Sequence, residues 1–567
     1  MTDSIEVVSF DIFDTLILRP FVRPTDLFWM MEQELDGPGF HNRRIRAESD
    51  ARRRKGSEIT LDEIYDLLDT PENVKELECE LETTLCFRNE PVCRELEDYS
   101  KDHTIIITSD MYLPRGVIEA ILEKNGIRYD RLYLSSEIGK TKHSGKLFDF
   151  ILKDLSIPPS KMLHIGDNRH SDVNVPKRKG IKTSYRKAPI SEYLGKHTDE
   201  RRYLRRHDGL TASIIVAMDM MRKEDENIWN DIGNRYGGPL AYAYSRYLKE
   251  VCGKDSLIAF ASRDGYSLKR CFELLSPGSG TCYIHPQRLL MEMFFDEYVQ
   301  SEEDLRMPDK FKDIVGYGRF MARLRRLLIF YGISSSDNLP KDPNKLLKLF
   351  NENRRLMNES RKEKLSSYKG NLDKICEDRD VELVDCTTMK FSSQRFVEKV
   401  LERSIRGHYS ITLNDDPNLS YDSMYRWPKT FIGWSRVNIP EFLLCSPELP
   451  ICGWNDGHPV YDVNSPECEK HRAEKYQELS DGIVRYMDSM MSAFGEHIPA
   501  MDYDSVLYWV MLCTAKGTKY RDLLKDVKWA SNPDHSDWSP IIPWDNLTGL
   551  FRRYAIDVLF KISGSDK

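Results

Sequence analysis

Four short acidic or polar motifs occur within the first 172 residues, and each lies where a hydrophobic strand is predicted to end. Their polar residues are, in chain order, Asp11, Asp14, Ser109, Asp110, Lys142, Asp167 and Asp172. Open α/β sheets place their ligands at the carboxyl ends of parallel strands. We therefore expect these side chains to form one site.

The residue types in this group are those that metal-assisted phosphoryl transfer requires. Mg²⁺ prefers oxygen ligands, which Asp11, Asp167 and Asp172 could supply while the ion screens the charge of a substrate phosphate. Asp11 could attack phosphorus as a carboxylate nucleophile and form an aspartyl-phosphate. Ser109 would donate to a phosphoryl oxygen, and Lys142 would balance the negative charge. The sequence thus predicts a magnesium-dependent phosphatase or phosphotransferase site.

At these residues the chain resembles the haloacid-dehalogenase (HAD) superfamily, whose motifs are a strand-end aspartate, a strand-end Ser/Thr, a lysine and an acidic pair. The resemblance covers roughly residues 1–190. It implies that Asp11 is the nucleophile, Ser109 the phosphate binder and Lys142 the motif lysine. The implied metal ligands are Asp11, Asp167, Asp172 and the backbone carbonyl of Phe13. Lys140 and Lys146 remain alternatives for the motif lysine. The implied cofactor is Mg²⁺.

Phe13 is a departure from the family pattern, in which HAD phosphatases carry a second aspartate that protonates the leaving group. Losing such a group removes about 10²- to 10⁴-fold in rate for a poor leaving group. The sequence therefore favours an activated phosphate, a transferase-like reaction, or Asp14 as the substitute acid. A domain that binds without turnover, and the carbon-centred displacement of haloacid dehalogenases, are alternatives.

Thr15 and Asp110 are the predicted substrate contacts beside the first two motifs.

The predicted fold class is α/β, with a Rossmann-like HAD core at residues 1–19 and 96–190. Apolar residues recur at helical spacing between these segments, and the resemblance implies a helical cap at residues 20–95 that closes over the site. The basic stretch at 191–209 is predicted to be a linker. A second, Rossmann-like α/β domain is expected at 210–410, followed by a helical and irregular extension at 411–567.

Within the second region, a predicted strand runs into Arg263, Asp264 and Gly265, and a helix follows. Free backbone N–H groups at that helix start make the loop a candidate substrate or anion site, and ordinary helix capping is the alternative. Residues 260–265 and 385–387 are similar to segments in large HAD-containing proteins of bacterial surface-polysaccharide loci. The resemblance implies a role in polysaccharide biosynthesis. A glycosyl or glycosyl-phosphate transferase in the C-terminal region is an alternative seat of the chemistry.

Composition limits the partners and the compartment. The net charge of -8 over 567 residues gives no general attraction to nucleic acid. No apolar run reaches membrane-spanning length, and residues 1–4 do not begin a signal peptide, so a cytoplasmic protein is expected. The 12 cysteines form no Cys-x-x-Cys pair. The expected partner is a phosphorylated small molecule, such as a sugar phosphate or nucleotide sugar, or a glycan; the sequence leaves the oligomeric state open.

Overall fold

The computed structural model describes residues 4–287, 290, 321, 324–335, 338–388, 390–427, 438–465, 467–515, 518–525, 527–530 and 538–541. The chain forms two compact units. Unit 1 comprises Met1–Lys223 with Ser489–Met501, and unit 2 comprises Glu224–Asp488 with Asp502–Lys567. Each unit contains a parallel sheet of five strands, so the predicted α/β class is confirmed.

The described residues of unit 1 form seven strands. They are β1 (Val7–Phe10), β2 (Ile17–Leu18), β3 (Phe87–Arg88), β4 (Thr104–Ser109), β5 (Arg131–Leu134), β6 (Met162–Gly166) and β7 (Lys182–Tyr185). Five of them form one sheet in the order β5-β4-β1-β6-β7, and every pair is parallel. The central strand β1 is buried throughout, as expected for a β-branched, apolar run covered on both faces.

Strand order reverses at β1, because β4 and β5 lie on one side of it and β6 and β7 on the other. Such a reversal opens a crevice at the carboxyl ends of the strands, where α/β proteins bind ligands. The helices of unit 1 are Leu27–Glu34, Phe40–Lys55, Leu61–Tyr65, Glu72–Leu85, Glu90–Tyr99, Arg115–Lys124, Ser135–Ile138, Lys146–Leu155, Val175–Arg178, Pro189–Lys196, Thr198–Arg206 and Leu210–Met221. Shorter helical turns lie at Pro24–Asp26, Pro159–Lys161 and Arg169–Asn174.

The chain between β1 and β4 is helical, and the antiparallel pair β2 and β3 joins its two ends. Its core contains an ion pair in which Arg44 donates twice to Glu78, each time at 2.7 Å, with both side chains fully buried. The Arg44 guanidinium also lies 5.0 Å from the ring centre of Tyr112, which follows β4. Leu61 N donates to the Tyr112 carbonyl at 3.0 Å. The helical insertion therefore contacts the loop at the carboxyl end of β4.

The end of unit 1 differs from the predicted domain boundaries. Residues 191–209, predicted to be a linker, lie largely in the helices Pro189–Lys196 and Thr198–Arg206, and Tyr203 of the second helix is fully buried. The helix Leu210–Met221, placed by prediction in the second domain, also belongs to unit 1. The basic composition of this segment masks an apolar helix face that includes Tyr203. Burial of that face gives the segment a place in the fold of unit 1.

The sheet of unit 2 has the order β12-β11-β10-β8-β9, and all its pairs are parallel. The strands of this unit are β8 (Leu257–Ala261), β9 (Thr281–Ile284), β10 (Val381–Thr388), β11 (Arg406–Thr412), β12 (Ser420–Arg426), β13 (Ile451–Asn455), β14 (His458–Tyr461), β15 (Lys528–Ala530) and β16 (Trp538–Pro540). The last four form two antiparallel pairs, β13 with β14 and β15 with β16. The predicted second α/β region is confirmed, and β12 extends its sheet past the predicted boundary at residue 410.

Helices in unit 2 are Ile228–Ile232, Gly238–Val251, Gly265–Leu275, Pro343–Cys376, Ser392–Leu401, Asn438–Leu444, Tyr503–Met511 and Lys519–Leu524, with turns at Gly233–Gly237 and Leu512–Thr514. The helix Glu467–Phe494 gives the C-terminal part its expected helical character. Residues 542–567 of the predicted extension lie outside the described part. None of the described helices combines the length and the hydropathy of a membrane-spanning segment.

Candidate active site

Asp11 directly follows β1, and its backbone N–H donates to the Ile165 carbonyl of β6 at 2.9 Å. Its carboxylate is almost fully buried and accepts at Oδ1 from Lys142 Nζ at 2.5 Å. The same ammonium donates to Asp172 Oδ1 at 2.7 Å. Lys142 therefore bridges two carboxylates that are 161 positions apart in sequence but adjacent at the carboxyl edge of the sheet.

Asp167 completes an acidic cluster at the end of β6. One carboxylate oxygen from each of Asp11, Asp167 and Asp172 lies within 4.8 Å of the others. Three buried or half-buried carboxylates are a donor set of the kind that Mg²⁺ takes in proteins. The residues present thus fit a divalent cation.

Charge balance supports the same assignment. Three carboxylates and one ammonium leave a net charge of −2 when all four are ionised, and a buried net charge is costly unless it is compensated. Burial raises the pKa of Asp11 to about 8, against the lowering effect of Lys142 and with help from the Asp172 charge. Burial, with the charges of Asp14 and Asp172, raises the pKa of Asp167 to about 7. A bound divalent cation would favour the ionised form of both groups.

Asp172 is the most firmly held of the three carboxylates. Burial alone would raise its pKa, but Lys142 and a hydrogen bond from His164 hold it well below its usual range. Asn168 N donates to Asp172 Oδ2 at 2.8 Å, and the Asn168 side chain caps the helical turn Arg169–Asn174. A Cβ on Gly166 would lie 2.6 Å from Asp172 Cγ, so this position in β6 needs a glycine.

A buried polar chain lies beneath the site. His164 Nε2 lies 3.2 Å from Asp172 Oδ1, and His164 Nδ1 lies 2.8 Å from Ser9 Oγ. Ser9 Oγ in turn lies 2.9 Å from Thr108 Oγ1. Burial lowers the pKa of His164, so the neutral imidazole is favoured. The His164 imidazole therefore has hydrogen-bond partners at both ring nitrogens and orients the Asp172 carboxylate.

Ser109, Thr15 and Asp110 lie around the acidic cluster at the carboxyl edge of the sheet. Ser109 is the last residue of β4 and is buried at the same sheet edge. Thr15 Oγ1 donates to Asp11 Oδ2 at 3.4 Å, which places it against the predicted nucleophile. Asp110 accepts from the backbone N–H groups of Lys142 and His143 at 2.6 and 3.1 Å. Asp110, predicted to contact substrate, thus holds the lysine loop, and its substrate role stays a prediction.

Phe13 and Asp14 lie beside a buried arginine that sequence reasoning missed. The Arg19 guanidinium lies 4.0 Å from the centre of the Phe13 ring and donates to Glu82 at 3.0 and 3.1 Å. Asp14 has a φ of 59°, which is unusual for a residue other than glycine. Its burial raises its pKa, and Arg19 partly opposes this. The metal contact predicted for the Phe13 carbonyl stays a prediction.

The geometry separates the three candidate lysines. Lys142 Nζ contacts Asp11, whereas Lys140 Nζ lies 5.4 Å from the centre of the Phe150 ring. Lys146 is exposed at the start of the helix Lys146–Leu155. Lys142 is therefore the residue positioned for the motif-lysine role.

Arg263 and Asp264, the predicted substrate residues of the second region, follow β8 in unit 2. Arg263 has a φ of 71°, and its backbone N–H donates to Tyr283 Oη at 2.9 Å. Asp264 is the N-cap residue of the helix Gly265–Leu275 but makes no side-chain capping hydrogen bond. Strand order reverses between β8 and β10, so these residues lie at the switch point of their sheet. Their role in binding stays a prediction.

Comparisons with known proteins give partial matches. No protein-family model matches the chain. A D-ribitol-5-phosphate phosphatase from Bacteroides thetaiotaomicron is 39% identical over 54 residues, which are 10% of this chain and 26% of that protein. The chain therefore spans about a quarter of the length of the curated relative it matches.

Among solved structures, a HAD-family enzyme from Bacteroides thetaiotaomicron in complex with magnesium and inorganic phosphate is 15% identical. The match covers 33% of this chain and 96% of that one, with a TM-score of 0.27. A 2-haloacid dehalogenase from Pseudomonas syringae pv. Tomato is 17% identical, with 34% and 90% of the two chains covered and a TM-score of 0.26.

Proposed function

We propose that unit 1 is a Mg²⁺-dependent HAD-type phosphatase or phosphotransferase that acts through an aspartyl-phosphate on Asp11. The observation that carries the proposal is the bridge of Lys142 Nζ between Asp11 and Asp172, with Asp167 within 4.8 Å. Lysine and three carboxylates at the switch point of a parallel sheet match the chemistry expected of the four motifs. The partial match to a sugar-alcohol phosphatase agrees with this assignment.

Each residue has a distinct part in the proposed reaction. Asp11, Asp167 and Asp172 would hold the cation, which supplies charge screening for the substrate phosphate when bound. An oxygen of Asp11 attacks phosphorus, a P–O bond forms, and the P–O bond to the leaving group breaks. Lys142 and Ser109 stabilise the negative charge on the phosphoryl oxygens. Water or an acceptor hydroxyl then takes the phosphoryl group and regenerates the Asp11 carboxylate.

Asp14 is the proposed general acid. It protonates the leaving oxygen in the first step and, as a carboxylate, takes a proton from the attacking water or hydroxyl in the second. An acid must hold its proton near the working pH, and burial moves the pKa of Asp14 in the required direction. Phe13 cannot do this, because a phenyl ring has no ionisable proton to donate.

The proposed substrate is a phosphate ester of a small sugar or polyol, or a related nucleotide sugar, used in polysaccharide biosynthesis in the cytoplasm. The named relative acts on a sugar-alcohol phosphate, which supports the substrate class. The helical insertion at residues 20–95 is proposed to act as the cap that admits this substrate, because it contacts the loop after β4 through Leu61 and Arg44. A transferase activity in unit 2 stays a prediction.

A panel assay tests the proposal with the full-length protein. Phosphate release is measured from sugar phosphates, polyol phosphates and p-nitrophenyl phosphate, with Mg²⁺ and after chelation. We expect turnover that requires Mg²⁺ and falls by at least about 10³-fold in Asp11→Asn, because the nucleophile is lost. Turnover that persists in Asp11→Asn places the chemistry elsewhere, and no turnover in the wild type supports a domain that binds without reacting.

Leaving-group dependence tests the role of Asp14. Asp14→Asn is expected to slow alkyl phosphates by about 10²- to 10⁴-fold but to slow p-nitrophenyl phosphate much less, because an acidic leaving group needs little protonation. Asp149→Asn is the control, since Asp149 is an exposed carboxylate paired with Lys179. An equal loss across all leaving groups argues against Asp14 as the acid.

A further inference from the structure

A second cluster of metal-ligating side chains lies in unit 2, among residues that the proposed phosphatase chemistry does not use. One donor atom from each of Cys252, Glu382 and His408 lies within 4.8 Å of the others. Glu382 is the second residue of β10 and His408 the third residue of β11, while Cys252 follows the helix Gly238–Val251. The cluster therefore joins a helix end to the amino ends of two neighbouring strands.

The imidazole of His408 is fully buried and lies between two carboxylates. Its Nε2 lies 2.6 Å from Glu382 Oε2, and its Nδ1 lies 3.5 Å from Asp422 Oδ2. Nδ1 makes no hydrogen bond within the described part of the chain. Histidine ligands of metal ions commonly direct the second ring nitrogen at a carboxylate, which fixes the tautomer and the ring orientation. Asp422 is placed for that part and is itself held by Arg406 Nε at 2.6 Å.

A backbone hydrogen bond also orients the Glu382 carboxylate. Its Oε1 accepts from Gly253 N at 2.9 Å, which leaves Oε2 directed at the imidazole. A Cβ on Gly253 would lie 2.9 Å from that Oε1, so the glycine permits the close approach of the backbone. The carboxylate and the imidazole are therefore oriented by neighbours that are not themselves ligands, as in built metal sites.

We propose that Cys252, Glu382 and His408 bind a zinc ion, with solvent in the fourth position and Asp422 as the partner of the bound histidine. Thiolate, imidazole and carboxylate are the ligand types that Zn²⁺ takes. One thiolate and one carboxylate also neutralise the charge of the ion. The half-buried Cys252 leaves a path for the ion and for a water ligand. On ion entry the Cys252 thiol proton passes to solvent, and the ring proton that His408 Nε2 shares with Glu382 moves to Nδ1, where it faces Asp422. Glu382 and His408 must separate by roughly 1 Å to reach tetrahedral spacing.

The ion's position indicates what it does. It would lie at the amino ends of β10 and β11, whereas α/β sheets bind substrates at the carboxyl ends of their strands. The proposed zinc would therefore connect the end of the helix Gly238–Val251 to the sheet, away from the edge where α/β sheets bind substrates. This inference does not depend on the chemistry proposed for Asp11.

Cobalt substitution of the full-length, untagged protein tests the proposal. After removal of metal by a chelator, Co²⁺ is expected to give a thiolate-to-cobalt charge-transfer band that saturates at one equivalent and is displaced by Zn²⁺. The carboxylates around Asp11 contain no sulfur, so they cannot produce this band. Cys252→Ser and His408→Gln should abolish it, and Asp422→Asn should weaken Zn²⁺ affinity by about 10- to 100-fold.

Cys452→Ser is the matched control, because Cys452 is another half-buried cysteine outside the cluster. A wild-type protein without the band, or a band that persists in Cys252→Ser, overturns the proposal. X-ray absorption at the zinc edge of the wild-type protein needs no variant. It should show one sulfur at about 2.3 Å and nitrogen or oxygen at about 2.0 to 2.2 Å, and a shell without sulfur overturns the assignment.

Discussion

Gly166→Ala is expected to damage the site without touching any residue proposed to react. The added Cβ would lie 2.6 Å from both Cγ and Oδ2 of Asp172, and 2.8 Å from its Cβ. Contacts shorter than about 3.4 Å are already tight, so the carboxylate must move by about 0.8 Å. Asp172 receives bonds from Lys142, His164 and Asn168 at 2.7, 3.2 and 2.8 Å, and a shift of this size lengthens them.

Gly166→Ala should lower both the free energy of unfolding and the affinity for Mg²⁺. Overpacking in a tightly held core costs about 1 to 3 kcal/mol of unfolding free energy. Misplacing a group that orients a metal ion lowers affinity by about 10- to 100-fold, which equals about 1.4 to 2.8 kcal/mol. We therefore expect a lower melting temperature and a Mg²⁺ half-saturation raised by at least about tenfold, with part of the lost activity recovered at high Mg²⁺.

The assay is a Mg²⁺ titration of phosphate release, together with thermal unfolding. Gly116→Ala is the control, because a Cβ at Gly116, in the helix Arg115–Lys124, meets nothing within 4 Å. This control should be neutral or slightly stabilising, since alanine favours helix more than glycine does. A Gly166→Ala protein with wild-type Mg²⁺ dependence would refute the argument that Asp172 must pack on a bare backbone to hold the ion.

Two further results are expected. In the folded protein the pKa values of Asp11 and Asp167 are raised to about 8 and 7, from about 3.8 in the unfolded chain. In chelator-treated protein their contribution to stability is therefore fully present below pH 3.8 and is lost as the pH rises to 8. The stabilisation by Mg²⁺ in thermal unfolding should therefore grow from pH 5 to pH 8, and a flat dependence contradicts this. Glu82→Gln leaves the buried Arg19 without its main partner and should cost about 3 to 5 kcal/mol in denaturant unfolding, whereas the exposed Glu76→Gln on the same helix should not. Arg19 then pairs more strongly with Asp14, lowers its pKa, and shifts the alkaline limb of the kcat profile to lower pH; an unshifted limb argues against Asp14 as the acid.

Much of the unit 1 sheet and its site was predictable because local pattern and topology agree there. An apolar, β-branched run that ends at a polar residue marks a buried parallel strand, and β1 and β4 end where their motifs begin. The motif order limited the lysine to Lys140, Lys142 or Lys146, and the contact of Lys142 with Asp11 distinguishes it from the other two. The motif roles themselves remain predictions until the variants are measured.

The remaining features depend on contacts between residues that are distant in sequence. The partners of His164 are Ser9 and Asp172, which only the sheet register brings together. Arg19 is paired by Glu82, 63 residues later. The sequence signals for these features are a His in one predicted strand and a Ser in another, and a Gly at a strand end before an acidic turn. Residues 191–209 were misjudged by composition, since the buried Tyr203 shows the apolar face.

The segment Ser489–Met501 belongs to unit 1 although it is encoded after most of unit 2. It supplies Phe494, whose ring packs edge-on at 6.0 Å against Phe21, and Ala500, which exchanges hydrogen bonds with Gln33. At a translation rate of about 5 to 20 residues per second, residues 489–501 are therefore synthesised on the order of tens of seconds after the rest of unit 1. A gene truncated after codon 223 would yield a polypeptide that exposes Phe21, so a separately expressed N-terminal fragment should be less soluble than one to which residues 489–501 are fused.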